Sequence, residues 1–333
     1  MSIVEDDDKI FKENNKSDTK MTLSRSRTQL DNGTDRSFNF KDYDTFTKNE
    51  QTPTFETSKF RQKHRFIVLV LNCLICFGGY FCMDQPNALS KHIDEELTGG
   101  SSMKYNMLYS FYSWPNIILP FFSGIFIDRM GLKVSCTILF ILCIVGQGFF
   151  TLGGYNGSGG GFTLSIIGRT IFGMGNESLC IVQNIFANKW FKGKELAFAM
   201  ALSMSIGRLG STANNFLMPV IASSAGLGTA LLFGLILIMF SYLVTVSLLM
   251  LEKKAEKTDA VRNDVQANEN IDFSYVRKFP LSFWIITISC VSIYTSIFSF
   301  NNISNNFFMN SYDFDLKTAA RLTSVVFIIA AIS

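Results

Sequence analysis

The sequence predicts an all-α membrane protein built as a helical bundle, and three observations predict it. Of 333 residues, 48% are hydrophobic and only 17% charged, with 33 Phe among them. That balance, with a mean hydropathy of +0.23, is too apolar for one soluble domain. Apolar runs of the ~20 residues that cross a bilayer recur near 66–83, 105–127, 134–153, 163–187, 196–221, 226–251, 281–302 and 318–333. Short polar loops separate the runs, and their Lys and Arg fall on alternate sides.

Taken in order, residues 1–58 are polar and lack the apolar core of a cleavable signal, so the first run must itself insert. They read as a disordered cytoplasmic tail. In it, "EDDD" (Glu5 to Asp8) reads as solvated charge, and "YDTF" (Tyr43 to Phe46) fits a tyrosine-x-x-bulky sorting pattern. Lys59, Arg61, Lys63 and Arg65 precede span 1; Arg129 and Lys133 follow span 2; Lys189, Lys192 and Lys194 follow span 4. Further cations, Lys253, Lys254, Lys257, Arg262, Arg277 and Lys278, follow span 6, whereas the alternate loops hold only Lys91, Lys104 and Lys317. The positive-inside rule therefore places the N-terminus in the cytosol. Residues 59–251 form a six-helix bundle, 252–278 a charged cytoplasmic linker, and 279–333 the first two helices of a second bundle. The last run, "LTSVVFIIAAIS", is still apolar at Ser333, so the chain reads as truncated in its eighth span.

Metal, redox and enzymatic chemistry find no foothold. All seven cysteines lie in predicted spans, "CLIC" (Cys73 to Cys76) has no second pair, and His64 and His92 are the only histidines. No disulfide framework, metal site or cofactor is expected, and no nucleophile-and-base motif points to an enzyme. The net charge of +3 identifies no partner and suggests no nucleic-acid role.

Polar residues inside the runs carry the functional signal. Glu177 in "FGMGNESLCIVQN" would cost roughly 2.5–3.5 kcal/mol at a bilayer centre without a partner or water. Helical spacing puts Arg169, Asn176 and Gln183 on one stripe of span 4, and Glu177 with Asn184 on the adjacent one. On span 5 Met204, Arg208, Ser211 and Asn215 share a face; span 2 offers Tyr105, Tyr109, Tyr112 and Asn116; span 7 offers Tyr294, Asn301, Asn302 and Asn305. These faces are too polar for lipid and predict a water-accessible cavity near mid-membrane. Plainer readings stand beside this one. Glu177 and Arg208 could form a structural ion pair, Arg169 could serve folding or gating, the tyrosines could be packing, and Asp84 before Pro86 could cap or gate.

The stretch "GIFIDRMGLK" resembles the loop signature G-x-x-x-D-R-x-G-x-K of the major facilitator superfamily, with Gly124, Asp128, Arg129, Gly131 and Lys133 in place. Gly124 would permit close helix packing, Gly131 a tight turn, and Asp128 a helix N-terminus or basic partner. The resemblance implies twelve helices in two halves, with this constellation latching the halves together. "YFCMDQP", "YSFYSWPN", "GRTIFGMGNESL", "QNIFANKWFKGKEL" and "SMSIGRLGSTANNFLM" narrow it. From Phe66 to Ser333 the chain is similar to the lysosomal dipeptide transporter family called major facilitator superfamily domain-containing protein 1.

That resemblance implies export of dipeptides from an acidic lumen by alternating access, as a uniporter, in a lysosomal, vacuolar or endosomal multi-pass membrane protein. It also implies a lumenal accessory glycoprotein and a homodimer. A zwitterion suits the residues, since Glu177 can receive an ammonium and Arg208 can grip a carboxylate bidentately. The candidate binding set is Glu177, Arg208, Arg169, Asn176, Asn184, Asn215, Tyr109 and Tyr112, and the candidate gating set is Asp128, Arg129, Gly124, Gly131 and Asp84. Two alternatives remain: a proton-coupled carrier of organic anions or sugars, and a non-transporting receptor or scaffold. The sequon at Asn156 is too close to span 3 for ready glycosylation, and the one at Asn176 is within the membrane.

Overall fold

The computed structural model describes residues 59–259 and 280–332. The tail with its sorting pattern, and the linker with Arg262, Arg277 and Lys278, lie outside the described residues. Span 1 is α1 (Lys59–Ile75) and α2 (Phe77–Met83), followed by the short turns α3 (Gln85–Ala88) and α4 (Ser90–Ile93) and a π-helical turn at Asp94–Thr98. Then come α5 (Ser102–Ser113), a 3₁₀ turn at Pro115–Ile117, α6 (Leu119–Met130), α7 (Leu132–Asn156), α8 (Gly161–Trp190), α9 (Lys194–Ala225), α10 (Leu227–Asp259), α11 (Leu281–Tyr312) and α12 (Leu316–Ile332). Phe60–Met83, Leu132–Asn156, Leu227–Thr258 and Leu281–Tyr312 are long and apolar enough to cross a membrane on those grounds alone. α8 and α9, which carry the charges, are as long but more polar.

Two expectations are altered. The run 105–127 is not one helix: Pro115 has no N–H to donate and disfavours helix at the residue before it, so α5 ends and α6 restarts on a new axis. The linker was expected from Glu252, yet α10 stays helical to Asp259 and Glu252 is fully buried.

Small residues set the tightest packing. A Cβ at Gly146 on α7 would come within 2.4 Å of the Phe172 backbone nitrogen, and one at Gly168 on α8 within 2.5 Å of that of Phe150. Only glycine lets these backbones touch, which is the usual device for joining helices in lipid. Between α6 and α7, Gly131 turns the chain at φ +81°, as the signature leads one to expect. α12 packs along α9, and α11 leans on α3.

The Glu252 end of the bundle is tied by charge. Trp190 Nε1 donates to Glu252 Oε2 at 2.6 Å, while Lys189 Nζ and Arg61 Nη2 approach Oε1 at 3.4 and 3.6 Å. Arg61 also lies over the Trp190 ring, 4.8 Å from its centre. Glu256 takes Lys133 and Lys189, and Arg65 Nη1 reaches both oxygens of Glu195 at 2.9 Å.

Candidate functional site

Arg169 on α8 is fully buried. Its Nη1 donates to the Cys82 carbonyl at 3.1 Å and its Nη2 to that of Met83 at 3.0 Å. The cause is in the sequence: the helical donor for Cys82 would be residue 86, and Pro86 has no N–H. The guanidinium fills that vacancy and lies among the rings of Tyr112, Phe150, Tyr109 and Phe172, 4.8–5.8 Å from their centres. Nε has no partner. With both terminal nitrogens committed, Arg169 splices the broken end of span 1 to span 4.

One stripe further round, Glu177 is half-buried, and Tyr112 Oη donates to its Oε1 at 2.6 Å. Asn176 Nδ2 donates to the same hydroxyl at 3.0 Å, so Tyr112 relays between the two. Arg208, half-buried on α9, lies over Tyr80 of α2 and Phe298 of α11, 5.5 and 6.0 Å from the ring centres. Among the described residues it has no carboxylate within the 4.0 Å of an ion pair, so the structural pairing of Glu177 with Arg208 is not made. Tyr80 stands between them. Its ring faces Arg208, its hydroxyl takes Cys180 Sγ at 3.9 Å one turn beyond Glu177, and both charges act on it. A Cβ at Gly207 would meet this ring at 2.8 Å, so glycine allows Tyr80 to lie flat against α9.

The remaining candidates divide. Tyr109 is buried with an unpartnered hydroxyl, and Asn215 is buried with neither amide atom partnered. Asp84 is buried at the end of span 1, within electrostatic reach of Arg208 and Arg169. Asn184 is exposed, one turn too far along α8 to join the others. At the signature loop Asp128 and Arg129 are exposed. The close packing expected at Gly124 is not found: a Cβ there would have nothing within 4 Å, and it is the adjacent Ser123 that meets α8, its hydroxyl 2.7 Å from that of Ser178.

The sequence reading missed Tyr80, Phe298 and Asn87. Asn87 Nδ2 donates to Ser304 Oγ at 3.1 Å, and Asn305 Nδ2 donates to the Asn87 carbonyl at 2.9 Å. Thr323 Oγ1 donates to Asn305 Oδ1 at 2.7 Å, and Tyr105 Oη to the carbonyls of Pro86 and Asn302 at 3.1 and 3.3 Å. A polar residue right after Pro86, at the end of an apolar run, was the available signal.

Six helical runs, a polar seam between them and α11–α12, and charges of both signs in the interior define a polytopic helical bundle. The profile of the Major Facilitator Superfamily matches residues 66–333, and the chain belongs to that family. It is 36% identical over 282 residues to the human protein named lysosomal dipeptide transporter MFSD1, covering 81% of this chain and 60% of that one. The cattle protein of the same name is 37% identical over 279 residues (80% and 58%), and the zebrafish one 36% over 282 (80% and 59%). The chain thus spans about 60% of the length of the curated relatives it matches.

Proposed function

We propose that this protein is a dipeptide transporter of a lysosomal, vacuolar or endosomal membrane, working by alternating access as a uniporter. One observation carries the reading: Glu177 and Arg208 lie half-buried on neighbouring spans, with Tyr80 between them, and do not neutralise each other. Charges left apart inside a membrane bundle are costly unless a ligand or water meets them. A zwitterion meets both. Its carboxylate lies on the Arg208 guanidinium, held flat by Tyr80 and Phe298, and Glu177, fixed by Tyr112 and Asn176, sets the negative potential opposite. Two guanidinium groups, Arg169 and Arg208, and two acids, Glu177 and Asp84, make a balance that a zwitterion of no net charge preserves. Relatives named as lysosomal dipeptide transporters support the substrate class and compartment. Nothing in this chemistry is enzymatic.

In this reading the Glu252 end, rich in Lys and Arg, faces the cytosol, as does the N-terminus, and the Asn87 end faces the lumen. Phe298 brings α11 to the site, as a carrier rocking two units about a central site requires. The accessory glycoprotein and the homodimer belong to the same proposal. The test is uptake by the protein of full coding length in proteoliposomes. Dipeptide should follow its own gradient with no change of internal pH, and Glu177→Gln or Arg208→Lys should each abolish uptake while the melting temperature holds. Wild-type rates in either variant would remove the assignment. A stoichiometric proton flux lost in Glu177→Gln would replace uniport with proton coupling.

A further inference from the structure

The polar groups around the proposed site fall into two sets. Glu177, Asn176 and Tyr112 already satisfy one another. Along α9 the opposite holds: Ser211 is fully buried with Asp84 as the one group its hydroxyl faces, and Asn215 is 1% exposed with both amide atoms unpartnered. Pro219 lies within α9 and lacks the N–H that would close on the Asn215 carbonyl, which adds a free acceptor at the same level. Tyr109 Oη is buried near Tyr105 and the Asn87 backbone, within electrostatic reach of Asp84. Other buried amides are partly paired: Gln183 donates to the Asn72 carbonyl at 2.8 Å and Gln147 to Gln85 Oε1 at 2.7 Å, while Asn214, turned to a different face of α9, is buried with neither amide atom partnered. An unmade hydrogen bond at a buried polar group is expensive, so the Asn215 amide, on the face of α9 that carries Arg208 and Ser211, marks a place where a ligand can supply the partners.

Asp84 borders that place. It is 8% exposed, Ser211 is the side-chain donor facing it, and Arg208 and Arg169 both act on it. Its carboxylate faces the Ser211 hydroxyl and does not cap the turn that follows. Arg169 acts on it only through its field, its Nη1 and Nη2 being turned to the carbonyls of Cys82 and Met83. Arg208, Ser211 and Asn215 follow one another on one face of α9, so Asp84, opposite Ser211, sits beside the cation that would hold a carboxylate.

We propose that Asp84 receives the α-ammonium group of the substrate, with Ser211 and Asn215 reading the peptide amide between it and Arg208. The assignment rests on the dipeptide reading above and refines it. Glu177 then acts on the ligand through its field and through Tyr112, while Asp84 makes the contact. No bond is made or broken, and the ammonium keeps its protons.

The experiment compares binding of alanyl-alanine and N-acetyl-alanyl-alanine to the purified protein of full coding length by calorimetry. Acetylation removes the ammonium charge and leaves the rest. Wild type should favour the free amine by about ten-fold or more, the worth of one charge-assisted hydrogen bond. Asp84→Asn should lose that preference by weakening alanyl-alanine alone, Asp84→Glu should retain part of it, and Ser211→Ala should weaken both peptides. A full preference in folded Asp84→Asn, or its loss in Asp84→Glu as well, overturns the assignment and leaves the dipeptide reading standing. Wild type that binds neither peptide overturns both.

Discussion

At the Glu252 end of the bundle, charged contacts among the described residues join elements of the first six spans: Arg61 and Arg65 on α1, Lys133 on α7, Lys189 and Trp190 on α8, Glu195 on α9, Glu252 and Glu256 on α10. At the Asn87 end, the bonds cross from the end of span 1 and from span 2 to α11, and each is neutral: Asn87 with Ser304 and Asn305, Tyr105 with Asn302. The two chemistries differ in what they cost to break. A buried ion pair that loses a partner leaves a charge stranded, at roughly 3–5 kcal/mol, whereas a neutral hydrogen bond contributes about 0.5–1.5 kcal/mol net. Strong bonds thus hold together the unit that the proposed mechanism moves as one body. Weak ones close the seam that must open.

The largest effect tests the strong end. Glu252→Ala would leave Trp190 Nε1 without its acceptor and the largely buried Arg61 without this carboxylate, while the more exposed Lys189 keeps Glu256. Stability should fall by roughly 1–3 kcal/mol, the worth of leaving the buried Trp190 N–H unpaired, read as a clear drop in melting temperature in detergent. Glu252→Gln, which still accepts from Trp190, should fall about half as far. If both variants melt like wild type, the charged end is not what makes the first six spans rigid.

A smaller effect tests the seam. Asn87→Ala removes the contacts to Ser304 Oγ and the Asn305 amide nitrogen but leaves the carbonyl bond to Asn305. The expected loss is about 1 kcal/mol. The more telling change is access: a cysteine placed at Ser304, 1% exposed, should react faster with a membrane-impermeant thiol reagent in the Asn87→Ala background. Unchanged labelling would mean that other contacts keep this end shut.

The comparison also shows what the sequence could reveal. Apolar runs located the helices because lipid demands about 20 such residues whatever their order. Proline marked the break at 115 only to a reader who asked which carbonyl loses its donor, and that same question, asked at Pro86, leads to Arg169. Periodicity put Arg169, Asn176 and Gln183 on one stripe correctly, but it is blind to what the stripe faces. All three turn inward to protein partners, while Glu177 on the next stripe stays half-exposed. Tyr80 and Phe298 were missed because an aromatic in a span rich in Phe carries no mark of the cation it will meet from another helix. The seam escaped for a related reason. Asn87 and Ser304 are 217 positions apart, and local pattern does not reach that far.

The smallest effects concern two acids near the seam, outside the spans, whose environments push in opposite directions. Burial holds the Asp94 carboxyl above its ordinary value, partly offset by the Thr98 hydroxyl. Asp315, fully exposed before α12, is held below its ordinary value by the Thr318 side chain and the backbone N–H groups of the first turn. The signs follow from linkage. Asp94, with its folded value raised, favours the native state when protonated, and that contribution is lost as pH rises through the folded value. Asp315, with its folded value depressed, favours the native state above the unfolded carboxylate value of ~3.9, and loses that contribution as pH falls through its folded value. Asp94→Asn should therefore raise the melting temperature slightly at pH 7 and change it little at low pH. Asp315→Asn should lower it slightly at pH 7 and leave it alone at low pH. The main seam contacts, being amides and hydroxyls, do not titrate over this range. The double variant should then melt with a flatter pH profile wherever the Asn87 end, and not the Glu252 cluster, is first to open. A profile as steep as wild type would place the first opening at the charged end and reverse the order of strength argued from the two chemistries.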